Sequence, residues 1–517
     1  MRLPAGVARL RLPAIAFAAA VALCLPTSRF GFTGDDYYIV HGNPSAHSIP
    51  AALRAANAPY WPPPSRSGLY RPLTILSFAM DWTLSRGRPG WLHVVNALWY
   101  GLTAALVVAL LGRWLPAGAA LAAGLVFAAH PVHVEPVAAI VGRADLLVGA
   151  GLLGAVVAAR HRRWVLTTGC AALAMGSKEV GVIAILLVLV DDWLPPREGP
   201  HYPPALYVAL SVLTLGYIRL WHGVGGEAAS DAAPAFFGAT AGVRLNVALT
   251  AVWRAATLLV WPGHLSIDYG PQVIPVRPGP SLAAFGGLLV TVATPLVAWW
   301  SRRRAPAVAW AAVAAAASYF PTSNLLFPSG VVLAERHLYL AVLVPAAAVG
   351  YGAHLLARRW GAGRRAAVGA VALVCLALAG RSLARLPAWR DNKSVLLTLL
   401  VDHPESFRGH WWASEVFATM GDTAAALRAI ARADTLFPGH PHFDAWRAGL
   451  LLAIDDTVGV AALLDRVRRA ERYYPPAVRA QLLLAIKRRR VADAHALADS
   501  AVAWFPWDSA WYRGQVR

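Results

Sequence analysis

Charge and cysteine are both scarce in this chain. Only 14% of its residues are charged, 57% are hydrophobic, and the mean hydropathy is +0.50. A soluble chain of 517 residues cannot hide that much apolar surface, which excludes an ordinary soluble enzyme and predicts a polytopic membrane protein with some soluble mass. Cys24, Cys170 and Cys375 are the only cysteines and all lie in apolar runs, so no disulfide framework is implied. Lysine occurs only at Lys178, Lys393 and Lys487, and every other basic side chain apart from histidine is arginine. This arginine- and alanine-rich bias suggests a GC-rich bacterial genome. Acidic residues are outnumbered, 27 against 47, for a net charge of +20. Such a surplus can signal nucleic acid, but here the arginines sit in short loops between apolar runs, so no nucleic-acid partner is expected.

Long apolar runs are what the chain has in abundance. A bilayer core takes about 20 apolar residues per helix. Candidate spans lie near 12–27, 92–112, 117–132, 145–160, 164–177, 180–193, 203–221, 281–300, 306–321, 338–357 and 366–380. Arg113, ARHRRW at 159–164, SRRR at 301–304 and ARRWGAGRR at 357–365 fall on alternate loops, which the positive-inside rule assigns to the cytoplasm. Eleven spans satisfy this alternation if 245–262, which contains Arg254, is an outer-surface or re-entrant helix rather than a crossing. Arg2, Arg9 and Arg11 precede the first run as in a signal peptide, but no clear small-x-small cleavage site follows, which favours an uncleaved first helix. The predicted fold is all-α: a membrane domain over 1–380 with a large first outer loop at 28–91, then an extracytoplasmic helical domain over 381–517.

The tail is more polar. Pro404, Pro438, Pro475 and Pro506 recur at a mean spacing of about 34 residues, the tetratricopeptide period. Gly421 then falls at an inter-helix turn, and Ala426 and Ala433 fall where a second helix must be small to pack closely. A generic array of helical hairpins remains the alternative, and either predicts stacked helix pairs presenting a groove.

The outer loops carry the chemistry. GDDYYIV holds Asp35 and Asp36, and YRPLTILSF holds Arg71. HPVHVEPVAAIVGRAD holds His130, His133, Glu135, Arg143 and Asp145. SKEVGV holds Lys178 and Glu179, LLVWPGHLSIDY holds Asp268 and Tyr269, and ERHLYL holds Glu335, Arg336 and Tyr339. Ionisable groups at membrane helix ends are costly unless solvated, paired or used. Arg143 with Asp145, and Lys178 with Glu179, are also candidates for simple ion pairs. His130 can equally be a helix-end histidine. His41, Asp81, His93 and Asn96 are polar too, and the last two read as contacts between helices. Asp191 and Asp192 form a second acidic pair on the predicted cytoplasmic side.

These six motifs, in this order and ahead of a repeat tail, resemble the transmembrane O-mannosyltransferases with tetratricopeptide tails, the family that modifies cadherins, and their bacterial relatives. The resemblance covers most of residues 31–340 plus the tail. It implies a GT-C membrane glycosyltransferase, similar to the protein O-mannosyltransferases and oligosaccharyltransferases. Such an enzyme transfers one sugar, with inversion, from a polyprenyl-phosphate carrier to an acceptor hydroxyl on the outer face of the bacterial inner membrane. Mannose and a protein acceptor follow from the resemblance alone, and transfer to a lipid or surface glycan is the alternative. A transporter or repeat-bearing scaffold fits less well, because transporters place ionisable groups near the bilayer midplane.

Inversion is a single displacement and needs one base. On the resemblance that base is Asp35, with Asp36 orienting it. A departing lipid phosphate needs cations, and Arg71, Arg143, Lys178, Arg254 and Arg336 are the outer-face set, with Tyr339 as a carrier contact. His133, Glu135, Asp145, Glu179, Asp268, Tyr269 and Glu335 are candidates for acceptor or sugar binding. No cofactor is expected, although His130, His133, Glu135 and Asp35 form a conceivable divalent-metal set. Two features depart from the family: Gly34 stands where tryptophan often precedes the acidic pair, and the tail has room for only about three repeats.

Overall fold

The computed structural model describes residues 5–62, 68–196, 200–224, 233–236, 238–359, 363–471, 473–505 and 508–516. Arg2, residues 360–362 of the fourth arginine loop and Pro506 lie outside the described residues. Among the described residues there are helices and turns but no strands. Two compact units divide the chain, with the boundary between Val395 and Leu396 rather than after residue 380.

In the first unit, α1 (Ala5–Cys24) leads into the large loop, which contains α2 (Ile49–Arg54) and α3 (Pro72–Ser85). Pro72 opens α3 at a position where its missing N–H costs nothing. Then come α4 (Pro89–Leu111), α5 (Ala117–Ala129), the short α6 (Val134–Ala138), α7 (Arg143–Arg160) and α8 (Trp164–Ser177). They are followed by α9 (Ala184–Trp193), α10 (Pro204–Gly223), α11 (Ala241–Val260), α12 (Leu282–Ser301) and α13 (Pro306–Tyr319). The unit closes with α14 (Leu343–Arg359) and α15 (Gly363–Arg385), and α16 (Asn392–Asp402) runs across the boundary.

Helices form at every predicted span. Among the described residues, seven helical stretches are long and apolar enough to cross a membrane, or eight if α5 and the bent segment after it count as one. The others are shorter; α9 has only 10 residues. Ala241–Val260 is among the seven by length and composition. Leu215 on α10, Leu288 on α12 and Leu376 on α15 are exposed, as suits helices whose solvent is hydrocarbon. Small residues allow close helix contact. A Cβ on Gly151 of α7 would lie 2.8 Å from the Cys170 carbonyl of α8.

The arginine-bearing turns gather at one end of the helices. Arg113 donates to the carbonyl of Pro196, and Arg160 pairs with Asp191 on α9 and donates to the carbonyl of Leu110. Arg162 donates to the carbonyl of Pro200, and the rings of Trp193 and Trp299 stack. Asp191 also accepts from Tyr202, and Asp192 from Tyr207. The second acidic pair is therefore part of this cationic end. It lies at the far end of α7 from Arg143 and Asp145.

The second unit is a run of helix pairs: α17 (Phe407–Thr419) with α18 (Thr423–Leu436), α19 (Pro441–Ala453) with α20 (Val460–Ala470), and α21 (Pro475–Lys487) with α22 (Val491–Trp504). A single helix, α23 (Ser509–Gln515), ends the run. First helices start at 407, 441, 475 and 509, each 34 residues after the last. Gly421 holds φ +80° in the first turn, and Ala426 and Ala433 are fully buried between helices. In the second pair Asp455 and Gly459 take left-handed positions in the turn, and in the third pair Arg489 does, so no glycine stands at the third turn's left-handed position.

Candidate active site

The turn before α7 fixes the acidic pair. Asp36 is fully buried and accepts four hydrogen bonds, from the Thr33 N–H (2.9 Å), the Thr33 hydroxyl (3.2 Å), the Ile140 N–H (3.3 Å) and the Val141 N–H (2.8 Å). Burial pushes its carboxyl up and these donors pull it back, leaving it raised to about 7. Asp36 thus staples the GDD loop to residues 140–141. The staple needs Gly142, where a Cβ would lie 2.2 Å from the Pro136 carbonyl. Asp35 is exposed beside it. Gly34 has φ +48°, a left-handed turn that tryptophan would strain, and its N–H donates to the Asn392 side chain at 2.7 Å.

Three cations, each held by its own carboxylate, are linked to Asp35 through Arg336. Arg336 pairs with Glu135 through its guanidinium and its backbone N–H. Lys178 contacts Asp145 at 2.5 Å. Arg71 forks onto Glu179 at 3.0–3.2 Å and lies over the Tyr60 ring. Burial opposes the charge on Arg336, but Glu135, Asp35 and Asp145 more than offset it and raise its pKa. Burial lowers the pKa of Lys178, Asp145 raises it, and Arg71 and Arg336 lower it again. These mutual effects tie Asp35, Arg336, Asp145, Lys178 and Arg71 into one electrostatic cluster. The Arg336 side chain remains 36% exposed, and among the described residues only Glu135 bonds its guanidinium.

Other predicted residues lie elsewhere. Arg143 is not part of the cluster: it is buried against Asp81 (2.8 Å), the Asn96 amide oxygen and the Leu92 carbonyl (2.9 Å), over the Phe78 ring. It therefore does not pair with Asp145, nor Lys178 with Glu179. Asn96 also donates to the carbonyls of Val137, Ala139 and Ile140, tying α4 to the segment before α7, and His93 bonds the Gly31 carbonyl, tying α4 to the first loop. His133 is buried, with Nδ1 on the Tyr100 hydroxyl and the Phe127 carbonyl and Nε2 on the Tyr339 carbonyl. Tyr339 is buried in the same aromatic group and is not presented to a lipid carrier. His130 bonds the Leu259 carbonyl and receives the Val132 N–H, so both of its ring nitrogens are also engaged.

A second network locks the 261–270 loop. Glu335 is buried and accepts from the Ser266 N–H (2.8 Å) and the Tyr269 hydroxyl (2.9 Å). Burial and the Glu135 charge push Glu335 up to about 8, against Arg385. Arg254 donates to the His264 carbonyl at 2.6 Å, and the buried Asp268 sits in a tight turn with Ser266. Sequence reasoning missed Tyr60, which lies between Arg71 and the acidic pair, and Asn392. Neither carries a local signal, because both act through contacts with distant loops.

The chain matches no protein-family model. It is 32% identical over 282 residues to the fruit-fly protein O-mannosyl-transferase Tmtc2, covering 50% of this chain and 30% of that protein. To mouse protein O-mannosyl-transferase TMTC4 it is 28% identical over 424 residues, 69% of this chain and 57% of the relative. To mouse TMTC3 it is 26% identical over 372 residues, 62% and 40%. The matched stretches thus span less than two thirds of each of these curated relatives. Over half or more of its own length, this chain is similar to animal proteins that bear the name protein O-mannosyl-transferase.

Proposed function

We propose that the protein is a membrane glycosyltransferase that moves a sugar, on the relatives' names mannose, onto a protein hydroxyl. The donor is a polyprenyl-phosphate sugar and the reaction inverts the anomeric centre. The observation that carries this reading is an exposed Asp35 in the field of Arg336, which is itself coupled to Lys178 and, through it, to Arg71. Asp35 takes the proton of the acceptor hydroxyl as that oxygen attacks the anomeric carbon. The bond from that carbon to the phosphate oxygen breaks on the opposite face, and the electron pair leaves with the phosphate. Arg336, Lys178 and Arg71 then donate hydrogen bonds to the departing oxygens. With Asp35 included, three cations face four carboxylates, so the phosphate is held by directed N–H donors rather than by surplus positive charge. Asp36 positions Asp35, and Asp145, Glu135 and Glu179 orient the cations and line the acceptor side. No metal is assigned.

On this reading the cluster faces outward from a bacterial inner membrane, in a GT-C-like domain of about 11 crossings. The contacts of α11 favour a surface helix: Gly287, early in α12, abuts the Leu249 backbone, and the Leu259 carbonyl bonds His130. The 34-residue helix pairs are tetratricopeptide-like and present the acceptor protein. Purified protein given polyprenyl-phosphate mannose and an exported acceptor is expected to transfer sugar, and Asp35→Asn to lose transfer while folding normally. Normal turnover by that variant would reject the assignment. Removing residues 396–517 is expected to spare transfer to a short peptide and abolish transfer to the whole acceptor.

A further inference from the structure

Helices α4, α7 and α8 enclose a groove of about 540 Å3 at the end of the first unit away from Asp35. Leu102, Leu106, Val157, Leu166 and Leu173 line it, and Gly154 forms its floor. At roughly 30 Å3 per water-sized group, this is room for about 18 methylene groups, one acyl chain. The mouth is different. It is formed by His161 and Arg163 in the turn between α7 and α8, both exposed, beside the exposed Arg162. Among the described residues, the carboxylates at this end are already engaged: Asp191 by Arg160 and Tyr202, and Asp192 by His201 and Tyr207. Arg162 donates to the Pro200 carbonyl, and no described carboxylate bonds Arg163. An apolar slot of acyl volume therefore opens onto a rim where no carboxylate among the described residues bonds Arg163.

We propose that this groove binds an anionic phospholipid, with one acyl chain along Leu102, Val157 and Leu166 and the phosphate at Arg163 and His161. Arginine near a membrane surface attracts acidic headgroups, and basic pockets between membrane helices hold them. Gly154 keeps the slot open, since a Cβ there would already lie 3.2 Å from the Cys170 Sγ. The site is separate from the Asp35 cluster and does not depend on the reaction assigned above.

Native mass spectrometry of the full-length protein, released from detergent, tests this with equimolar phosphatidylglycerol and phosphatidylcholine of identical chains, plus polyprenyl phosphate. Two arginines at the rim, Arg162 and Arg163, predict about a thirtyfold preference for phosphatidylglycerol. Arg163→Glu, an exposed change, should bring the two phospholipids near parity, and Gly154→Leu should lower retention of both. Equal retention of the two phospholipids by the unaltered protein would overturn the proposal. So would a preference for polyprenyl phosphate, or a phosphatidylglycerol preference that survives Arg163→Glu.

Discussion

Removing the Asp36 carboxylate separates positioning from catalysis. In Asp36→Ala, the N–H groups of Thr33, Ile140 and Val141 lose their acceptor; the first two residues are buried and the third is partly so. A buried donor left unsatisfied costs about 1–3 kcal/mol, so two to three of them cost about 2–9 kcal/mol. That is a large share of a typical folding free energy of about 5–15 kcal/mol. The Asp35 loop would also lose its tie to residues 140–141, and a displacement of about 1 Å at a catalytic group can cost on the order of 100-fold in rate. Thermal unfolding of detergent-purified protein, followed by tryptophan fluorescence, should show Asp36→Ala melting well below the unaltered protein, with transfer lost. Asp35→Asn, changed at an exposed side chain, should melt with the unaltered protein and also lose transfer. An Asp36→Ala protein with an unchanged midpoint would refute the staple.

Three further outcomes follow from the same geometry. Arg336→Lys keeps the backbone N–H bond to Glu135 but removes the guanidinium donor, and should lower kcat by about 100- to 1,000-fold, the effect of removing one charge-stabilising donor, measured in the transfer assay. Asp81→Asn leaves the buried Arg143 charge without its counter-ion and should destabilise the fold by about 3–5 kcal/mol in chemical denaturation, while the KM for donor is unchanged in protein that remains folded. Glu335, raised to about 8 when folded, favours its protonated form there; its contribution to stability is full below about pH 4 and is lost as pH rises through about 8. Glu335→Gln should flatten the melting temperature between pH 5 and 8.

Much of this arrangement is legible in the sequence. Apolar runs marked where helices form, because membrane helices must bury every backbone polar group in lipid. The arginine turns marked one end of the bundle, and the period of 34 marked the tail. Arg336 feels the charge of Asp35, and Lys178 is coupled to both Arg336 and Arg71. Arg143 is not part of this cluster, and a signal for this was present. Residues two apart on a helix point about 200° apart, so Arg143 and Asp145 on α7 cannot face one site. His133 and Glu135 diverge in the same way, one inward to Tyr100 and the other to Arg336. What no periodicity carries is the folding of residues 28–62. That stretch has little regular structure, and its staple to residues 140–141 is a contact between segments about 100 residues apart.

The hydrogen bonds that Gly31 and Gly34 make to Arg390 and Asn392 bear on how the protein is best dissected. Hydropathy invites a cut after residue 380, where the last apolar run stops. A shortened protein ending there would lack both the Arg390 carbonyl and the Asn392 amide, which brace the loop carrying Asp35. It would be expected to fail in transfer even with every membrane helix present, and the failure would be credited wrongly to the missing repeats. A cut after Val395 keeps the brace and removes the repeats together with the rest of α16.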